Sequence, residues 1–253
     1  MWSDRIRAMS GVHWLVLFGL ILASWAALYA ISVPPELRLL EQTYGRDFWV
    51  SLCTITPDAA GYLRMVLMWS LMSAAMMAPT ILPALATYDD LSRVSKDTNF
   101  GALVSGYLAV WLGFSVGAAG LQMLLFQAGL LGVFGDSLSS LLSAALLASA
   151  GLYQFSTLKE ACLSKCRQPI TFFMQHFDEG PWRNGLRLGL VCLGCCWALM
   201  LLAFVGGVMS VAFMGLATVI MVLEKLPDLG RYITKPLGAL LLLASAWTLV
   251  TAI

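Results

Sequence analysis

Long apolar runs alternate with short polar connections along this chain, and the runs exceed what the core helices of a water-soluble domain need. Seven of them can be drawn as spans of a hydrocarbon layer roughly 30 Å thick, where a helix needs about 17–25 residues. They cover about 12–32, 61–86, 100–127, 138–158, 186–205, 208–223 and 236–251. The first ends before Pro34-Pro35, which cannot continue a helix. The fifth and sixth come from one apolar stretch, 186–223, which as a single rod would be about 57 Å long. Gly206-Gly207 is the natural break between two antiparallel helices. The pattern predicts an all-α, polytopic membrane protein with one seven-helix transmembrane domain over 1–253.

Charge sets the orientation. With the N-terminus cytoplasmic, one side holds Arg5, Arg7, Arg93, Lys96, Lys159, Lys165, Arg167, Arg183, Arg187, Lys225, Arg231 and Lys235. The other holds Arg38, Arg46 and Arg64. This bias is what the positive-inside rule predicts for an N-terminus in the cytoplasm and a C-terminus outside. The first run is long and no small-residue cleavage site clearly follows it, so we expect a retained helix rather than a leader. Small residues predict close helix contacts at Gly106, Gly113, Gly117, Gly120, Ala144, Ala148, Gly185 and Gly189.

Composition agrees with a lipid setting: 60% of the 253 residues are of the AVILMFWYC class and only 11% are charged. A soluble chain is nearer one quarter charged. The net charge of +1 gives no reason to expect nucleic acid as a partner. The expected surroundings are the lipid bilayer, in the cytoplasmic (inner) membrane of a prokaryote.

All Asp and Glu fall in connections or at the ends of the runs, and His13 and His176 lie at or beyond the interface. Intramembrane proton relays are built from such groups. The chain also lacks a GxxxxGK[ST] phosphate loop and an HExxH zinc motif. Acid–base catalysis and nucleotide-driven pumping therefore have no residues to work with, and no catalytic residue is expected. Asp89, Asp90 and Arg93 read as a solvated connection, and Phe172, Phe173, His176, Phe177 and Trp182 as a short amphipathic piece at the inner interface. Glu224-Lys225 reads as a pair snorkelling to the interface or pairing across it.

Sulfur remains. Five of six cysteines fall between 162 and 196, with Cys53 apart on the outer connection. Cys162 and Cys166 share a face if helix continues through them, and Cys192, Cys195 and Cys196 share one by their i+3 and i+4 spacing. Met200 lies one turn further on. In the second run Met65, Met68, Met72 and Met76 make a stripe, flanked by Met77. Thioether and thiolate are soft donors that select Cu(I) and similar ions over Mg²⁺ or Ca²⁺. Methionine also packs almost anywhere as filler, and free cysteine is a common buried residue. The adjacent Cys195-Cys196, with Cys192 one turn back, points beyond packing.

In order along the chain, Met68-Trp69-x2-Met72-x2-Ala75-Met76-Met77-x-Pro79, Lys159-x2-Cys162-Leu163-x2-Cys166-Arg167, Cys192-x-Gly194-Cys195-Cys196-Trp197-x-Leu199-Met200, Gly207-x-Met209 and Glu224-Lys225 form a recognisable series. The series resembles a family of bacterial and archaeal integral membrane proteins known only as predicted metal-binding. The resemblance covers most of the chain from the second run onward and implies a bound metal without naming it.

The expected function is binding of a soft metal ion, Cu(I) favoured and zinc the alternative, for transfer across or at the membrane. Cys192, Cys195 and Cys196 would be core ligands, with Met72, Met76 and Met77 on the inlet side and Met68 and Met200 as further candidate ligands. Cys162 and Cys166 would be the exit. A metal chaperone or membrane-complex partner would receive the ion. A membrane thiol oxidoreductase using the cysteine pairs, and an accessory subunit without chemistry of its own, are the alternatives.

Overall fold

The computed structural model describes residues 11–32, 55–92, 98–227 and 229–252. Cys53, Pro34-Pro35, Arg5, Arg7, Arg38, Arg46, Arg93 and Lys96 lie outside these, so much of the charge argument for orientation falls on residues not described. Regular structure among the described residues is helical, apart from one isolated bridge between Leu131 and Ser137.

The first helix, α1, is Val12–Ser32, as the apolar pattern predicts. The run expected over 61–86 is two helices, α2 (Ala59–Thr80) and α3 (Leu82–Ser92). Prolines cause the break. Pro83 has no N–H to give the Pro79 carbonyl, and Ile81 N bonds Ala78 O in a tighter turn at 3.3 Å. Asp58 caps α2 through Gly61 N, and Thr56, Gly61 and Arg64 hold its carboxyl below the usual range. The next helix, α4, runs Phe100–Gln127 with Asn99 as its cap, matching its expected range.

The run expected over 138–158 is also divided. Its helices are α5 (Ser140–Tyr153) and α6 (Thr157–Arg167), bent by 62°. Ser156 leaves the helical path and accepts from Lys159 N, starting α6 afresh. Cys162 and Cys166 therefore share one helix, started afresh at Ser156 rather than continued from α5.

A short helix, α7 (Pro169–His176), leads to α8 (Pro181–Leu201) and a single turn, α9 (Ala203–Gly206). Gly207 follows at φ 88°, a conformation that glycine adopts without strain, and Ser210 caps α10 (Val211–Lys225). The break expected at Gly206-Gly207 is present. The last helix, α11 (Gly230–Val250), starts earlier than expected and runs through Pro236.

Among the described residues five helices are long and apolar enough to cross a membrane: α1, α2, α4, α8 extended through α9, and α11. The bent pair α5–α6 makes a sixth if it counts as one span. At 15 residues, α10 is about 22 Å long and falls short by itself. Long apolar side chains cover the outside, among them Leu15, Leu22, Leu141, Leu240, Leu243 and Trp247.

Two glycine seams hold the bundle. A Cβ on Gly185 would lie 2.1 Å from Leu103 O and one on Gly106 would lie 2.5 Å from Trp182 O, so α4 and α8 touch backbone to backbone. A second seam, not anticipated from sequence, joins α5 to α11 at Gly151 and Gly238. Gly113, Gly117 and Gly120 correct the contact pattern: they face open space although they continue the Gly106 side of α4, because beyond Gly106 the buried face is the one that carries Tyr107, Trp111, Ser115, Ala118 and Gln122.

The polar connections are less solvated than expected. Asp89 accepts from Trp14 Nε1 at 3.0 Å and lies 3.3 Å from His13 Nε2, tying α3 to α1. Phe172 and Phe173 of α7 are buried, with Phe173 packed on Tyr88, so α7 is docked on α3 rather than merely lying on a surface. His176 Nδ1 is 2.9 Å from the Phe172 carbonyl, within its own helix.

An ionic clamp closes the bundle at α6. Lys159 Nζ bonds Glu224 Oε2 at 2.9 Å with both side chains 1% exposed. Arg167 Nε bonds the Glu224 carbonyl at 3.0 Å, and its other nitrogens reach Thr234 and Glu160. Removing one partner of a buried pair strands the other charge. Lys159→Met is thus expected to lower stability by about 3–5 kcal/mol, whereas Lys159→Met with Glu224→Leu regains most of the loss. Unfolding of the purified variants measures both, and equal stability of Lys159→Met and the parent would contradict the clamp.

Candidate metal centre

Helical spacing puts Cys192, Cys195 and Cys196 on one face of α8, and the packing turns that face inward. Their Sγ atoms all lie within 4.8 Å of one another, and the three residues are 0%, 1% and 1% exposed. Cys195 and Cys196 sulfurs are 3.3 Å apart, and the Cys195 thiol donates to the Cys192 carbonyl at 3.1 Å. All three are free thiols. The inward face follows from the glycine seam: Gly189 and Gly185, one and two turns before Cys192, draw this side of α8 onto α4.

The α6 cysteines lie against this cluster. Cys166 interacts side chain to side chain with Cys195. The Cys162 sulfur fills the space over Gly194, only 2.6 Å from where a Cβ there would be. Both are free and only partly buried, so the thiols run from the closed interior toward the surface along α6. Tyr153 at the end of α5 donates its hydroxyl to the Gly194 carbonyl and packs edge-on to Trp197.

The methionines expected at the site are all buried: Met65, Met68, Met72, Met76 and Met77 along α2, and Met200 on α8. They belong to the same packed core as the thiols. What the end of α2 brings to the cysteines is polar. The Tyr107 hydroxyl, from α4, sits 3.1 Å from both Cys192 Sγ and the Met77 carbonyl. Thr80 Oγ1 donates to that carbonyl at 2.8 Å and lies 3.9 Å from Cys192 Sγ.

Lys225 completes the cluster and was not anticipated as part of it. Its ammonium donates to Thr80 Oγ1 at 2.6 Å and to Cys192 Sγ at 2.9 Å. Sequence reasoning sends a lysine at a helix end to the interface; here it is 7% exposed and aimed inward. Its neighbour Glu224 is likewise buried and aimed at α6. Thr80 and Tyr107 carried no spacing signal, since single hydroxyls in apolar helices are common. The Glu-Lys dipeptide was visible, but its two directions were not.

Chemically, three thiols within reach of one ion form a soft donor set. The match to a known family agrees. The PpoB2 copper chaperone family matches residues 66–248, most of the chain, and the chain belongs to that family. Comparison with curated proteins and with solved structures gives no match. The match supports a copper-related metal-binding family, in keeping with the metal expected from the sequence.

Because Cys162 occupies the space a side chain at 194 would need, Gly194→Ala is expected to push that thiol off α8. Maleimide labelling of Cys162 should rise several-fold, with Cys192, Cys195 and Cys196 still protected by burial. Unchanged labelling, read residue by residue by mass spectrometry, would show that α6 is not docked there.

Proposed function

We propose that this member of the copper chaperone family is an integral membrane protein that binds Cu(I) through Cys192, Cys195 and Cys196 and passes it across or at the membrane to a partner. The observation that carries the reading is the closed group of three free thiols within 4.8 Å of one another. Thiolate sulfur favours Cu(I) over hard cations, and a dry shell excludes competing water. Cys166 and Cys162, partly exposed on α6, serve as the exit toward an acceptor such as a metal chaperone or a membrane-complex subunit. Met72, Met76 and Met77, preceded by Met68 and flanked by Met200, form the inlet. Weak successive sulfur sites let an ion both enter and leave.

The membrane reading is supported by five long apolar helices and by the apolar side chains on the outer surface. In it the chain forms one transmembrane domain in a prokaryotic cytoplasmic membrane, N-terminus in and C-terminus out. The α5–α6 pair and α10 complete seven crossings, α10 with polar neighbours at its ends in place of length. The thiol oxidoreductase alternative has Cys192 and Cys195 exchanging with Cys162 and Cys166 on α6; trapping of mixed disulfides between α6 and α8 would favour it over a metal site.

Cys195→Ser combined with Cys196→Ser is expected to abolish metal retention without loss of folding. Plasma mass spectrometry of anaerobically purified protein should give about one copper per chain in the parent and none in the variant. Equal copper in both would defeat the assignment, and zinc in place of copper would make the site structural rather than a relay.

A further inference from the structure

A soft-metal site does not need an ammonium group for ligation, yet Lys225 is buried against one of its sulfurs. Among the described residues no carboxylate lies within ion-pair distance of Lys225; Glu224, its chain neighbour, is taken by Lys159. The hydrogen-bond directions are fixed. Thr80 gives its proton to the Met77 carbonyl at 2.8 Å, so its oxygen faces Lys225 as an acceptor at 2.6 Å. A second donor from the ammonium runs to Cys192 Sγ at 2.9 Å, and Tyr107 stands on another side of the same sulfur at 3.1 Å. A buried cation needs an anion beside it, and what surrounds this one is sulfur.

We propose that Lys225 is the specificity-determining positioning residue of the site, a fixed counter-charge that makes the cluster fit a monovalent soft cation in low coordination. Thiols bind metal as thiolates, with release of their protons. One Cu(I), two thiolates and one ammonium sum to zero, which suits a dry interior and leaves the third thiol free for ligand exchange during hand-off. A divalent ion reaches zero only by ionising all three thiols. The fourth ligand that tetrahedral zinc requires would have to be Cys166, beside Cys195, and a fourth thiolate would leave the buried site with a net negative charge. Lys225, held by Thr80 and against Cys192, is the fixed positive charge that decides both balances. This assignment rests on the soft-metal reading of the three cysteines.

The test compares the parent with Lys225→Gln and Lys225→Arg, full-length in detergent and without oxygen. Cu(I) affinity is measured against a chromophoric cuprous chelator, with melting of the metal-free proteins as the control for folding. Lys225→Gln should weaken Cu(I) binding about 10–100-fold, the range for loss of a group that supports the ligands. Lys225→Arg, which keeps the charge, should recover most of it. Parent-like affinity in Lys225→Gln, or equal losses in both folded variants, overturns the proposal. Should Lys225→Gln not fold, the parent carries the test through its metal preference: copper retained and zinc lost on desalting supports the assignment, and zinc retained as well as copper overturns it. A parent that retains neither metal defeats the soft-metal reading itself, and the role of Lys225 with it.

Discussion

Glu224 and Lys225 sit side by side in the last turn of α10, buried to 1% and 7% exposure, and each charge finds its partner on a different helix. Glu224 takes Lys159 of α6, and its carbonyl takes Arg167. Lys225 takes Thr80 at the end of α2 and Cys192 in the middle of α8. A buried charge left without a partner is costly, so these contacts lock four helices at one point. The position of α6 against the thiol cluster depends on this lock, and so does the polar character of one side of the cluster.

The glycine seam between α4 and α8 makes the rest possible. Backbones in contact at Gly106 and Gly185 bring Tyr107 within 3.1 Å of Cys192. Gly194 does the same for α6, leaving room for the Cys162 sulfur. The functional reading follows from the resulting gradient: three thiols closed off in the core, then Cys166 beside Cys195, then the surface of α6. In the proposed transfer role, an ion would exchange one sulfur at a time along this series.

Much of this was legible in the residues, and the rest was not for identifiable reasons. The i+3 and i+4 spacing of Cys192, Cys195 and Cys196 announces a shared face, and that face does converge. Gly206-Gly207 announces a break, and Gly207 makes it. The ranges of α1 and α4 follow from uninterrupted apolar pattern. Hydropathy alone, however, passes over local backbone chemistry: Pro79 and Pro83 divide one run, and the Ser156 cap divides another. The partners of Glu224, Lys225 and Asp89 depend on which helices become neighbours, and spacing along one helix carries no information about that. Lys225 was hidden for the same reason, since the ordinary place for a lysine at a helix end is the interface.

The central claim is that the buried cysteines hold copper as an all-sulfur, low-coordinate centre. X-ray absorption at the copper edge of the Cu(I)-loaded protein tests it most directly. The account predicts a first shell of two or three sulfur atoms and an edge typical of Cu(I). A shell built from nitrogen or oxygen would contradict it, because that ion would be bound somewhere other than Cys192, Cys195 and Cys196.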